Sequence, residues 1–354
     1  MKTWFAVALA VTAGLALAAD ATPPKAGKPE ILRLQDVKPG MKAVAWTVFS
    51  GSTPEPVPID IIGVWRNAMG PRQHVIMAKM GGKAERTGVA GGMSGSPVYV
   101  DGKLIGAVAL RLSQFSPDAI CGITPIESML EIQDFDASVP QGARTPERAA
   151  VQLPSGSEMP GELAAQLVAA GAKTALAGST ALMTPIETPL VFSGFTAETL
   201  NAYEPLLRQM GITAVQGGSS ATTLTAKPAA GWERALNPGE AVSGILVSGD
   251  MSTTGMGTVT YNDGKRVLAF GHQFFDLGPV DMPMAKSEIL TVLSSAYQPN
   301  KVGNSTDVVG ALHQDRHTGI MGELGAEHFF KVLDNTSLEY TVGWQHTFAK
   351  RDDQ

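Results

Sequence analysis

The chain has 354 residues, with 27 Lys and Arg against 33 Asp and Glu, a net charge of −6 and no block of basic residues, which excludes a nucleic-acid-binding surface. Hydrophobic residues make up 44% and charged residues 17%, enough for a packed core and without the signature of disorder. The 39 Gly and 23 Pro fall between short apolar runs, the texture of a protein built from many short strands.

Residues 1–19 read as a secretory signal peptide. Lys2 supplies the positive end, an apolar run follows to about Ala16, and Ala16-Leu17-Ala18 fits a small-x-small cleavage site. The run is short and rich in Ala and Gly, and it ends in a Pro-containing linker over 20–37. It therefore predicts cleavage and export, periplasmic or extracellular, rather than a stable membrane span. An exported chain with one cysteine, Cys121, has no internal disulfide and rests on its core alone. Flanked by apolar residues in "DAICGITPIESML", Cys121 reads as a small buried side chain.

Residues 38–136 form a first β-rich half, with short runs of Val, Ile and Trp broken by Gly, Pro and Ser. A Pro-, Ser- and Gly-rich boundary follows at about 137–158. The segment 150–238 differs in kind and predicts an α/β insert. "GELAAQLVAAGA" is helical in propensity. In "TAETLNAYEPLLRQMG", Leu200, Tyr203, Leu207 and Met210 share one helical face, which Pro205 must kink or open. From 239 to 354 the β texture returns and the sequence echoes itself. "SPVYVDGKLIGAVAL" (96–110) and "GTVTYNDGKRVLAFGH" (257–272) each read as strand, Asp-Gly-Lys turn and strand, and Asp-Gly between apolar runs signals a hairpin. One hairpin starts just after Ser94 and the other ends on His272, as two related β-halves sharing a cleft would arrange them.

Gly92-Met93-Ser94-Gly95-Ser96 has the Gly-x-Ser-x-Gly spacing of the α/β-hydrolase elbow, but that elbow leads from a strand into a helix. Here Pro97 and a hairpin follow. The loop suits another arrangement, in which glycines let the N–H groups of Gly92 and Ser94 converge on one developing oxyanion beside the serine hydroxyl. A serine needs a base. His272, after Gly271 at the end of an apolar strand, sits where a base is held rigidly, although a core histidine with a hydrogen-bond partner has the same look. His313 and His317 in "HQDRH" are spaced as a zinc pair, yet Gln314 stands where a zinc-peptidase helix carries Glu. The pattern calls for neither metal nor cofactor.

"GMSGSPVYVDGKLIGA" together with "GTVTYNDGKRVLAFGH" resembles the SpoIVB family of serine peptidases, over roughly residues 40–135 and 240–325. The resemblance implies Ser94 as nucleophile, His272 as general base, and proteolysis of protein or peptide substrates outside the cytoplasm. It also implies a fold that is mainly β: a chymotrypsin-like double β-barrel with an inserted α/β segment. The serine precedes the histidine here, the reverse of the family's order, which suggests permuted halves; triads are set by geometry and not by order. Asp315 lies about as far beyond His272 as chymotrypsin-like barrels place their acid, and is the candidate third member. A loop carboxylate paired with Arg316 is the competing reading. The expected function is a secreted serine endopeptidase. A non-catalytic scaffold that kept the fold and an esterase using the same serine are the alternatives.

Overall fold

A computed structural model describes residues 22–112, 118–134, 183–209, 212–217, 227–249, 251–295, 298–327, 331–335 and 338–342. The signal-peptide segment 1–19 and the Ala-rich stretch 161–172 lie outside the described residues.

Six strands follow one another in the first half: β1 (Lys42–Thr47), β2 (Glu55–Gly70), β3 (Gln73–Met80), β4 (Ser96–Val100), β5 (Lys103–Leu112) and β6 (Ile120–Pro125). Their apolar residues alternate. Val57, Ile59 and Ile61 of β2 point inward while Pro58, Asp60 and Ile62 point out, as the two-residue period of a half-buried strand requires. The antiparallel pairings run β1-β2-β3-β6-β5-β4, and β4 returns to β1, closing a barrel. Closure leaves no strand edge unpaired within the ring. Ala45, Val57, Ile59, Ile76, Val98, Val108 and Ile123 fill it. Cys121 is among these buried residues, and burial pushes its thiol up to about 12.

The described part of the insert links the halves. β7 (Met183–Pro185) extends the first barrel beside β5. β8 (Thr188–Ser193), the helix Ala197–Gln209 and β9 (Ile212–Gln216) form a unit whose two strands are parallel, as a helical crossover permits. The helix runs on through Pro205. Among the described residues of this segment, the α/β character takes the form of this strand–helix–strand unit.

The second half contains β10 (Ala241–Gly249), β11 (Ser252–Asn262), β12 (Arg266–Ala269), β13 (Gly278–Leu293), β14 (Asn300–Arg316) and β15 (Gly319–Leu324), with β16 (Lys331–Asn335) and β17 (Leu338–Val342) flanking β10. β8 lies against β11 on the other side. These strands pair in the ring β10-β11-β12-β15-β14-β13, and β13 returns to β10. That is the connectivity of the first barrel. In each, three strands meander, a crossover follows, and the fourth strand lies beside the first while the sixth lies beside the third. The echoing hairpins of the sequence are β4–β5 and β11–β12.

The protein is therefore a mainly β double barrel. Between the barrels, Leu104, Ile126, Met129 and Ile132 pack against Leu268. The long β13–β14 arm also reaches across to the first barrel. Gly51 and Ile289 exchange backbone hydrogen bonds of 2.7 and 2.8 Å, and Gly91 is bridged to Asn300. Ser94 ends the crossover into β4 and His272 begins the crossover out of β12, so the same connection in each barrel carries one of the two candidate catalytic groups.

Candidate active site

The serine loop is held by its backbone. The Gly91 N–H donates to the Pro299 carbonyl (2.8 Å) and the Gly91 carbonyl accepts from Lys301 N–H (2.9 Å). Met93 N–H donates to the Ala90 carbonyl (3.0 Å), and the Met93 carbonyl accepts both the Ser96 N–H (3.0 Å) and the Ser96 hydroxyl (2.6 Å). The Thr258 N–H donates to the Ser94 carbonyl (2.8 Å) and its hydroxyl to that of Gly92 (2.8 Å), while Thr260 hydroxyl reaches the Gly95 carbonyl (2.7 Å). Gly95 N–H donates to the Val108 carbonyl (2.7 Å).

Two donors are left over. The N–H groups of Gly92 and Ser94 bond to nothing among the described residues, whereas the carbonyl of each of their peptide groups, at Gly91 and Met93, is pinned from the other side. Pinning the carbonyl fixes the peptide plane and polarises the N–H opposite. This pair is the one the sequence named as an oxyanion site. Ser96, turned back onto Met93, braces one of the two planes.

Gly95 is required twice over. Its φ of 95° is that of the third residue of a Met93–Ser96 turn, and a Cβ there would lie 1.9 Å from the Thr258 carbonyl oxygen and 2.5 Å from the Phe270 nitrogen. This close approach joins the two candidate segments, because Ser94 and His272 flank the Gly95–Phe270 contact on either side. Gly271 (φ 71°) packs its bare Cα against Ala107 and Ala109 of β5, and the Thr124 hydroxyl donates to its carbonyl at 2.6 Å. His272 is therefore mounted on the first barrel as well as on its own.

His272 is 4% exposed. Its Nδ1 lies 2.7 Å from the Gln273 carbonyl oxygen; a carbonyl only accepts, so Nδ1 carries the proton and Nε2 presents its lone pair. Burial lowers the imidazole pKa to about 4, the Gln273 carbonyl opposing this and the nearby His317 adding to it. The ring is thus a neutral base with its accepting nitrogen inward. His272 Nε2 and Ser94 Oγ are both buried without a hydrogen-bond partner. No hydrogen bond joins the two atoms.

Asp315 does not meet the ring, whose Nδ1 faces the Gln273 carbonyl, contrary to the expected third member; among the described residues its ion pair with Arg316 is not found, and Arg316 Nε donates to Gln314 Oε1. At the end of β14 and fully buried, it accepts the N–H groups of Phe274 (2.8 Å), Phe275 (2.7 Å) and Leu277 (3.3 Å). Burial raises its carboxyl pKa to about 6 against the pull of those three donors. Its place is to clamp the loop that follows His272, and the orienting acceptor at Nδ1 is a backbone carbonyl. His313 and His317 lie on β14 and the turn after it, not on a helix.

The sequence does not mark Thr258, Thr260 or Lys301, which brace the serine loop from the second barrel. Each reads locally as an ordinary strand residue. The signal that bears on them is the echo of the two hairpins, which implies that β11 and β4 lie close. Compared with known proteins, the chain matches no protein-family model, no curated protein and no solved structure.

Proposed function

We propose that the chain is an exported serine endopeptidase of the SpoIVB type, with Ser94 as nucleophile and His272 as general base. The observation that carries this reading is the pair of unengaged N–H groups at Gly92 and Ser94, in a loop where the remaining N–H groups from Gly91 to Ser96 are bonded. Buried unpaired donors are costly, and two of them aimed from one glycine-bounded loop suit a developing oxyanion. The partnerless Ser94 Oγ and His272 Nε2 are the two further atoms that acyl transfer requires.

In the reaction, His272 Nε2 takes the Ser94 proton as Oγ attacks the scissile carbonyl carbon. The carbonyl oxygen becomes the oxyanion held by the Gly92 and Ser94 N–H groups. Collapse breaks the C–N bond, with the proton passed from His272 to the leaving amine, and water then releases the acyl group by the same steps. Ser94 has no exposed surface, so the proposed reaction requires that the site be opened to substrate, and separately that Oγ and Nε2 come within hydrogen-bond reach of about 3 Å.

The test is labelling of the purified mature protein by a fluorophosphonate. Labelling abolished by Ser94→Ala and by His272→Ala supports the enzyme; no labelling of the unaltered protein leaves a scaffold. Hydrolysis of casein, compared with that of a simple ester, then separates peptidase from esterase.

A further inference from the structure

Lys301 is the second residue of β14 and its side chain is completely buried. Its Nζ donates to the hydroxyls of Thr47 (2.7 Å) and Thr258 (3.3 Å). Among the described residues no carboxylate pairs with it, and from β1, β11, the serine loop and β14 no ionisable group acts on it, burial being the sole cause that lowers its pKa to about 7. An ammonium held by two neutral hydroxyls is poorly compensated for its lost hydration. Packing alone does not explain it, because a methionine fills the same space without a charge.

Its position supplies the reason. The stem runs under Gly92, where a Cβ would stand 3.2 Å from Lys301 Cβ and Cδ. The Lys301 backbone N–H holds the Gly91 carbonyl at 2.9 Å, fixing the peptide that presents the Gly92 N–H. The Thr258 hydroxyl that receives Nζ passes its own hydrogen to the Gly92 carbonyl at 2.8 Å. Lys301 therefore grips the peptide groups on both sides of Gly92.

We propose that Lys301 is a positioning residue of the oxyanion site, fixing the Gly92 peptide and setting a buried cation behind the point where negative charge develops. This rests on Ser94 being the nucleophile. The oxyanion is the counter-charge that Lys301 otherwise lacks, so protonation of the amine and stabilisation of the oxyanion reinforce each other.

The experiment is the rate of fluorophosphonate labelling at Ser94 as a function of pH, for the unaltered protein and for Lys301→Met, with the unfolding midpoint of each. The unaltered protein should gain rate as pH rises through about 4, where His272 loses its proton, and lose it as pH rises through about 7, where Lys301 loses its own. Lys301→Met should unfold at least as high, label about tenfold slower and lack the fall near 7, a loss short of the 10²–10³ that removing a direct oxyanion donor costs. A merely structural lysine would lower the midpoint and leave the shape of the profile alone. Equal rates and equal profiles overturn the Lys301 role while keeping the enzyme; an unaltered protein that never labels removes both. Should Lys301→Met not fold, the titration of Lys301 in ¹⁵N-lysine-labelled unaltered protein decides instead. Its pKa should rise when Ser94 is bound by a peptide boronate, whose tetrahedral serine adduct is anionic, and an unmoved titration of the boronate-bound protein overturns the proposal.

Discussion

Thr258 holds Ser94 from the opposite barrel, its N–H on the Ser94 carbonyl and its hydroxyl on that of Gly92, both at 2.8 Å. Thr258→Val keeps the shape and the N–H but removes the hydroxyl, leaving the buried Gly92 carbonyl without its donor. The expected loss is about 1–3 kcal/mol in urea unfolding, together with slower labelling of Ser94 as the Gly92 peptide loosens. A variant with the unaltered midpoint and rate would show that the hydroxyl holds nothing.

The buried neutral state of His272 makes acid unfavourable. Its folded pKa, about 4, lies below the 6.5 of the unfolded chain, so between those values the unfolded chain binds a proton that the folded protein refuses. Stability falls as pH drops from 6.5 to about 4 and no further from this group. Full expression of that shift is on the order of 3 kcal/mol. His272→Gln removes the slope, so the variant should lose less stability than the unaltered protein across that window in urea titrations at several pH values. Asp315 titrates in the same range but is common to both proteins, and the difference isolates His272. Parallel curves would mean that the imidazole is not buried as a neutral base.

Asp315 has the opposite sign. Its folded pKa of about 6 lies above the unfolded 3.8, so its proton-linked stability is fully present below 3.8 and is lost as pH rises through 6. Asp315→Asn abolishes this dependence and also leaves one acceptor oxygen for three backbone donors, at a cost of about 1–3 kcal/mol. The gap between the unaltered protein and the variant should therefore be wider at pH 4 than at pH 7 in denaturant unfolding. A gap that widens with pH would show the three N–H groups keeping the carboxylate ionised.

Much of the architecture is legible from local patterns. The Asp-Gly turns with alternating strands announce β4–β5 and β11–β12, and Gly-bounded Ser94 and strand-ending His272 stand out because their neighbours are permissive or rigid. Asp315 is legible as a residue at the right distance but not in its partner: whether a carboxylate meets a ring or a loop backbone depends on angstrom-scale placement across β13 and β14. Lys301 is invisible for a deeper reason. A lysine at a strand start reads as solvated, and only the docking of the β13–β14 arm on Gly91, a contact between barrels, removes it from water.

The bracing of the serine loop also sets a timetable. The hydroxyls on the Gly92 and Gly95 carbonyls come from residues 166 and 165 positions further along the chain, and Thr47 meets Lys301 across 254. During synthesis Ser94 emerges long before Thr258, His272 and Lys301 exist, with neither its proposed base nor a fixed pair of N–H donors. Chemical competence arrives only when the last barrel closes, so on the proposed reading a growing or partly translocated chain is silent towards its neighbours and towards itself.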